Sequence, residues 1–359
     1  MTNDNKIKIS SYWYGGNLQR ASQYVVAEAL RRGHQVRAVV RPSSHEKRLA
    51  WRNHPEVKLV RIDLRRKDGI IDAVRGVDAV IHLAAVKDGK FYSRFAGTVI
   101  ASEKLLDAMI EAQVLRLIDI STFSVYNYSS GKAITEDTPL ESHPLERDEY
   151  AQVKLVQEEL VREFEQNYKS LGAEVTYIRP GTIYGRDNLW NTILGAKLTD
   201  NLWLKVGGHA QMPLTYVEKC ANAIVSAAER DEAIGQTINI VDDNLPTQNV
   251  YAGKLAKYLD NLPRTIPIGL WLLYLFAWIF WTYNKRVLKG QARLPGIVVP
   301  RILDARFKPF RYSNARAKKV LNWTPRYSLD TALERSCSDI ELLEVPSSTP
   351  SLQVLTQNA

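Results

Sequence analysis

A chain of 359 residues, 45% apolar and 24% charged, can bury one large α/β domain with a smaller lobe, which excludes wholesale disorder. Its two cysteines, Cys220 and Cys337, lie far apart with no CxxC neighbour, which argues against a disulfide framework or a structural zinc site. The net charge of +9 is uneven, with twelve Lys or Arg against the single acid Asp304 in residues 284–327, yet no nucleic-acid-binding module accompanies that excess. Residues 6–10 read as a short strand, and 21–32 has the helical spacing of Val25, Val26, Ala29 and Leu30. After Gly33 come strands at 35–40, 57–62, 78–84 and 116–121, with a helical stretch at 98–112. A long helix follows at 149–168, and then a strand at 174–178. Alternation of this kind predicts parallel βαβ units in a doubly wound Rossmann-type sheet, with residues 1–180 mainly the dinucleotide-binding domain.

Beyond Pro180 the alternation loosens. A helix is expected at 216–230, a strand at 237–241 and a helix at 248–259, within a substrate-binding lobe of residues 181–335. The tail from Val345 is rich in Ser, Thr, Pro and Gln, a composition that predicts disorder. Residues 267–283, PIGLWLLYLFAWIFWTY, stand apart: the run is at the lower limit for a membrane span, and Trp271, Tyr274, Trp278 and Trp281 favour an interfacial position. The following basic stretch complements anionic headgroups. Peripheral membrane contact is therefore the expectation, ahead of a buried core helix and of a true span. The polar start, without the apolar core of a secretory signal, makes the cytoplasm the expected compartment, at the membrane surface where 267–283 makes contact.

The sharpest chemical signal is Tyr150-x-x-x-Lys154 inside the long predicted helix. Residues four apart share a helix face, so phenol and ammonium can point into one site, and a nearby cation lowers a tyrosine pKa toward working pH. Such a pair can exchange protons with a hydroxyl or carbonyl while hydride moves to or from a nicotinamide. The equally spaced Tyr128 and Lys132 lie in a Ser/Gly loop where nothing fixes their common face. Thr122 follows the strand at 116–121, where open α/β sheets bind ligands, and can hold a reacting oxygen against Tyr150. His82 sits inside a strand, and Asp242-Asp243 reads as a turn; neither takes a role, and no His/Cys/Asp spacing suggests a metal.

Several further motifs occur in a telling order: DAVIHLAA at 78–85, a strand-end hydroxyl followed by Val125-Tyr126, ITEDTP at 134–139, the YxxxK pair, RPGTIYG at 179–185, PLTYV at 213–217 and RYSNARAKKVLNWTPRY at 311–327. Together they resemble the extended short-chain dehydrogenase/reductase family, also called the NAD-dependent epimerase/dehydratase family, from about residue 6 to 333. The resemblance implies Thr122, Tyr150 and Lys154 as the catalytic set, with Lys154 also gripping the nicotinamide ribose. It places Asp63 and Leu64 near the adenine, Leu83, Ala84 and Ala85 along the cofactor, and Pro180 and Gly181 near the nicotinamide. Arg41, where NAD-preferring members carry an acid, suits a 2′-phosphate and points to NADP rather than NAD. A homodimer through the helix bearing the YxxxK pair is also implied.

One departure stands at the phosphate loop. Counted back from Gly33, the family's three loop glycines fall on Ser22, Gln19 and Gly16, so only Gly16 survives, with Gly15 beside it. A remodelled cofactor loop, a non-catalytic relict of the fold and a local disturbance of the sequence all accommodate this. Three functional readings follow. The first is an NAD(P)-dependent oxidoreductase of a lipid-like alcohol or ketone, supported by the likeness to hydroxysteroid and sterol dehydrogenases in a late apolar segment followed by basic residues. The others are a nucleotide-sugar epimerase or dehydratase, and a scaffold with a relict fold.

Overall fold

A computed structural model describes residues 8–12, 18–44, 49–87, 89–129, 131–186, 188–206, 208–292, 294–338 and 345. The expected tail from Val345 and the loop glycines Gly15 and Gly16 otherwise lie outside the described residues. The first half runs β1 (Lys8–Tyr12), α1 (Leu18–Arg31), β2 (Gln35–Val40), β3 (Val57–Arg61), α2 (Ile70–Val74), β4 (Ala79–His82), α3 (Phe91–Phe95), α4 (Ala101–Glu111) and β5 (Arg116–Ile120). A π turn, Ala96–Ile100, joins α3 to α4. Then come β6 (Ala133–Ile134), α5 (Glu149–Tyr168), β7 (Glu174–Pro180) and β8 (Thr182–Tyr184). The remainder comprises β9 (Ala196–Thr199), β10 (Leu202–Val206), β11 (Leu214–Tyr216), α6 (Val217–Glu229), β12 (Thr237–Ile240), α7 (Gln248–Leu255), β13 (Arg264–Ile268), α8 (Leu270–Arg286), α9 (Pro300–Phe307), β14 (Arg311–Tyr312), α10 (Ala315–Leu321) and α11 (Leu329–Cys337).

Seven strands form one parallel sheet in the order β12-β7-β5-β4-β1-β2-β3. Strands buried on both faces need apolar side chains throughout, and Ala79, Val80 and Ile81 of β4 are all fully buried. On one face α1 packs against α6 through small residues such as Ala27, Ala223 and Ala227, which let the helices approach closely. Gly33 ends α1 with φ +84, and the His34 amide then reaches the Ala29 carbonyl, closing the helix in the way a left-handed glycine permits. The opposite face carries α2, α4 and α5, with Leu105, Met109, Val161 and Phe164 in its core. Strand order reverses between β1 and β4, the switch point beside whose carboxyl edge open α/β sheets bind ligands, and the segments after β4 and β5 leave the sheet at that edge.

The chain leaves this frame after β7 and returns to it with α6 and β12, and again with α10 and α11, whose Ala317, Leu321 and Leu333 join the α1 core. Outside the frame it builds a three-stranded sheet, β13-β10-β9, with β9 and β10 before the first return and β13 and the pair α8–α9 after it. Residues 267–283 prove to be the end of β13 followed by α8. Only Leu273, Ala277 and Asn284 of α8 are buried, a stripe at helical spacing, while Trp271 is 71% and Trp278 64% exposed. A buried core helix is thereby excluded, and no helix among the described residues is long and apolar enough to cross a membrane.

Candidate active site

At the carboxyl edge lies a cavity of about 400 Å³ bordered by Thr122, Tyr150, Pro180 and Gly181 on the sheet side and by Ala305 and Arg306 of α9 on the other. Local chemistry places the first four. Thr122 leaves β5 in extended conformation, and its Oγ accepts from the Ser124 amide at 3.2 Å, which starts a short 3-10 turn. Tyr150 sits in the first turn of α5, whose start is set by Asp148: its carboxylate accepts from the Ala151 amide at 3.2 Å. Gly181 passes so close to Pro213 that an added Cβ would lie 2.2 Å from the Pro213 carbonyl oxygen, so glycine is required there.

Thr122 and Tyr150 border the same cavity, with the threonine hydroxyl beside the phenol. Burial pushes that phenol up to about 12, only partly offset by the Thr122 hydroxyl. The expected depression by Lys154 is not what the structure produces. Although one helical turn on, Lys154 is only 1% exposed and is not among the cavity-lining side chains. Its Nζ donates to the Ile120 carbonyl and to Gln157 Oε1, each at 2.6 Å. Burial lowers the Lys154 ammonium, against the opposing pull of the Asp119 and Glu158 carboxylates. A four-carbon stem reaches acceptors on either side of its helix, and here the buried acceptors win.

Among the residues read from sequence for the cofactor, Leu64, Leu83, Ala84 and Ala85 are buried at the sheet edge, and Arg41 directly follows β2. Asp63 follows β3, but its carboxylate is clasped by Arg65, with Nη2 to Oδ2 at 2.6 Å. Ala84 and Ala85 keep side-chain bulk small along the β4 edge, and Gly181 leaves none at the cavity floor, so this part of the crevice fits a dinucleotide laid against backbone. Tyr128 also borders the cavity, but it is buried and donates to the Phe123 carbonyl at 3.1 Å, while Lys132 is exposed; the second Tyr/Lys pair does not converge.

Several functional candidates escaped sequence reading. Arg147 is buried and donates to the carbonyls of Tyr126 and Ser124, each at 2.9 Å, and pairs with Glu141 at 3.4 Å. Arg94, Arg186 and Arg306 also border the cavity and make it electropositive. Glu158 is fully buried, gripped by Arg179, Arg162 and the Ser121 hydroxyl. Against the upward push of burial, those partners hold its carboxyl below the ordinary range. An Arg at the exit of β7 facing a Glu one helical turn after Lys154 is a pattern that a search for buried charge pairs would have found. His82 is buried with Nε2 2.7 Å from Ser102 Oγ, and Asp242 pairs with Lys219 at 3.2 Å.

The model of the NAD dependent epimerase/dehydratase family matches residues 22–241, more than half of the chain, and includes Thr122, Tyr150, Lys154, Pro180 and Gly181. The chain belongs to that family. It is accordingly an NAD-dependent oxidoreductase or epimerase of the short-chain dehydrogenase type. A decarboxylating sterol-4-alpha-carboxylate 3-dehydrogenase of Mus musculus is 25% identical over 338 residues, 88% of this chain and 86% of its own. An uncharacterized UDP-glucose epimerase of Bacillus subtilis (strain 168) is 28% identical over 178 residues, 46% of this chain; the match spans only 54% of that relative. The fold is shared with UDP-glucuronic acid 4-epimerase from Bacillus cereus in complex with NAD, at a TM-score of 0.67 and 19% identity over 92% of this chain and 97% of that one.

Proposed function

We propose that this family member is an NAD(P)-dependent dehydrogenase or reductase of a secondary alcohol or ketone on a lipid-like molecule taken from a membrane surface. One observation carries the reading: α9 has two faces, and they join the cavity to the exposed apolar helix. Its Ala305 and Arg306 border the cavity, while Leu303 and Phe307 pack on Leu273 and Ala277 of α8. The outer surface of α8, with Trp271, Phe276, Trp278, Phe280 and Tyr283 exposed and Lys285 and Arg286 in its last turn, suits an interface with anionic headgroups. An apolar substrate could then pass from bilayer to cavity past one helix. The likeness to the mouse sterol dehydrogenase along most of both chains supports the same substrate class.

The chemistry follows from the phenol. With burial raising it to about 12, Tyr150 is protonated at neutral pH and can hand its proton to a carbonyl oxygen, or receive one in the reverse direction. Thr122 holds that oxygen beside the phenol. When bound, the nicotinamide would supply or accept the hydride. Arg41 would meet a 2′-phosphate, and on that ground NADP is the proposed cofactor. Leu83, Ala84 and Ala85 would flank it, and Lys154 would serve its ribose side.

A second reading, a nucleotide-sugar epimerase, is favoured by the cavity's Arg94, Arg186 and Arg306, which suit a diphosphate. Incubation of the purified protein with NADP⁺ and 3-hydroxysteroids or long-chain secondary alcohols, followed at 340 nm, is expected to give NADPH. Turnover of a UDP-sugar with no net change in nicotinamide, and none of the apolar alcohols, would replace the first reading with the second.

A further inference from the structure

Behind the cavity, between the sheet and α5, lies a chain of buried polar side chains that proton transfer at Tyr150 does not itself use. Lys154 Nζ meets Gln157 Oε1 at 2.6 Å, and Gln157 Nε2 donates to Asp119 Oδ1 at 2.8 Å. Gln157 and Asp119 are both 0% exposed, and the second Asp119 oxygen has no hydrogen-bond partner. His82, the register partner of Asp119 on β4, gives Nε2 to Ser102 and leaves Nδ1 without one.

A glutamine amide can present either its oxygen or its NH₂ to a neighbour. Only the oxygen stabilises an ammonium, so something must fix the orientation. An ionised Asp119 accepts and cannot donate, which turns the NH₂ toward itself and the carbonyl toward Lys154. We infer that Asp119 and Gln157 are positioning residues for Lys154: the carboxylate orients the amide, and the amide carbonyl with the Ile120 carbonyl holds the ammonium at the carboxyl end of β5. Two of the three ammonium donors are thereby used, leaving one for a ligand in the crevice. This rests on the proposed service of Lys154 to the cofactor ribose.

The device is sensitive to acid. Burial raises the Asp119 carboxyl to about 6, with Lys154 opposing and Glu158 reinforcing the rise. A protonated Asp119 can donate, so the amide is free to turn and the ammonium loses one of its two acceptors, keeping the Ile120 carbonyl. The groups facing Asp119 are His82 from β4, Lys154, Glu158 and Arg162 from α5, and Tyr177 from β7. Of these, His82 stays neutral across the range of interest because burial takes it to about 3.

The test is NADH binding to the full-length protein, read by nicotinamide fluorescence from pH 5 to 8; the NADH diphosphate keeps its charge over this range. Wild-type affinity should weaken on the acid side with a midpoint near the Asp119 value. Asp119→Asn and Gln157→Met, confirmed as folded by circular dichroism, should bind about tenfold more weakly at pH 8 and lose the acid step. Lys154→Met separates the two ideas. If it weakens binding while the Asp119 and Gln157 variants bind as wild type at every pH, the positioning inference alone falls. Should Lys154→Met change nothing, the cofactor role of Lys154 falls and takes the inference with it. A wild-type profile without a step between pH 5 and 7 overturns the acid-sensitive part without any variant.

Discussion

Helices α5 and α8 are of similar length and reverse the usual relation between polarity and burial. α5 is polar in sequence, yet it sends Lys154, Gln157 and Glu158 into the interior. α8 is apolar almost all round, yet it leaves Trp271, Trp278 and Tyr283 mostly in solvent. The difference lies in what each has been given to touch. Every buried charge of α5 finds a partner: Glu158 has two guanidinium groups and a hydroxyl, and Lys154 has a carbonyl and an amide. The apolar surface of α8 has only a narrow stripe packed on Val206, Leu303 and Phe307. Burying polar groups is costly unless they are paired, as those of α5 are, while the exposed apolar face of α8 is what the proposed membrane contact would cover.

The comparison can be broken from the α5 side first. Tyr150→Phe should lower kcat by roughly 10²-fold or more while leaving folding unchanged, because it removes only the transferable proton; an unaltered rate would place proton transfer elsewhere. Glu158→Gln should destabilise the fold by about 3 kcal/mol in urea unfolding, since Arg179 keeps its charge in the interior without its carboxylate. On the α8 side the pattern inverts. Trp271→Ser combined with Trp278→Ser should weaken sedimentation with phosphatidylserine-containing vesicles about tenfold, with stability altered by no more than about 0.5 kcal/mol, as expected for exposed positions. Equal vesicle binding by the double variant would leave α8 without an interfacial role.

The smallest effect concerns acid. His82 is lowered in the fold to about 3 from 6.5, so its neutral burial favours folding above 6.5 and that contribution is lost as pH falls toward 3. Asp119 is raised to about 6 from 3.8, so its protonation in the folded state adds stability as pH falls from 6 to 3.8. The two slopes oppose one another between about pH 6 and 4. Asp119→Asn removes one of them and should steepen the acid loss of stability by about 1.4 kcal/mol per pH unit in that window. Parallel pH–stability curves for wild type and variant would show that the two groups are not coupled to folding as their burial implies.

Much of the frame was legible in the sequence. The strand Gln35–Val40 and the helix Glu149–Tyr168 match their expected bounds, because each has strong patterning and a clear boundary residue. The strand expected at 78–84 stops at His82, although Leu83, Ala84 and Ala85 stay buried, so an apolar run outlasts the strand pairing. Strands β8 to β11 went unread: segments of three to five residues carry too little periodicity. At the site, Thr122 and Tyr150 were legible because strand end and helix start dictate their positions. The inward turn of Lys154 was not, for Gln157 reads in sequence as one more surface residue of a polar helix, and nothing local reveals that Asp119 faces it across 38 positions.

The π turn at Ala96–Ile100 inserts an extra residue between α3 and α4, so the two segments are out of phase by about 100° of rotation. Leu105 and Leu106 keep their seats in the core while Arg94, on the far side of that wide turn, borders the cavity. A single-residue deletion within the turn would restore an uninterrupted spiral and swing the guanidinium off the pocket wall, leaving the layer beneath undisturbed.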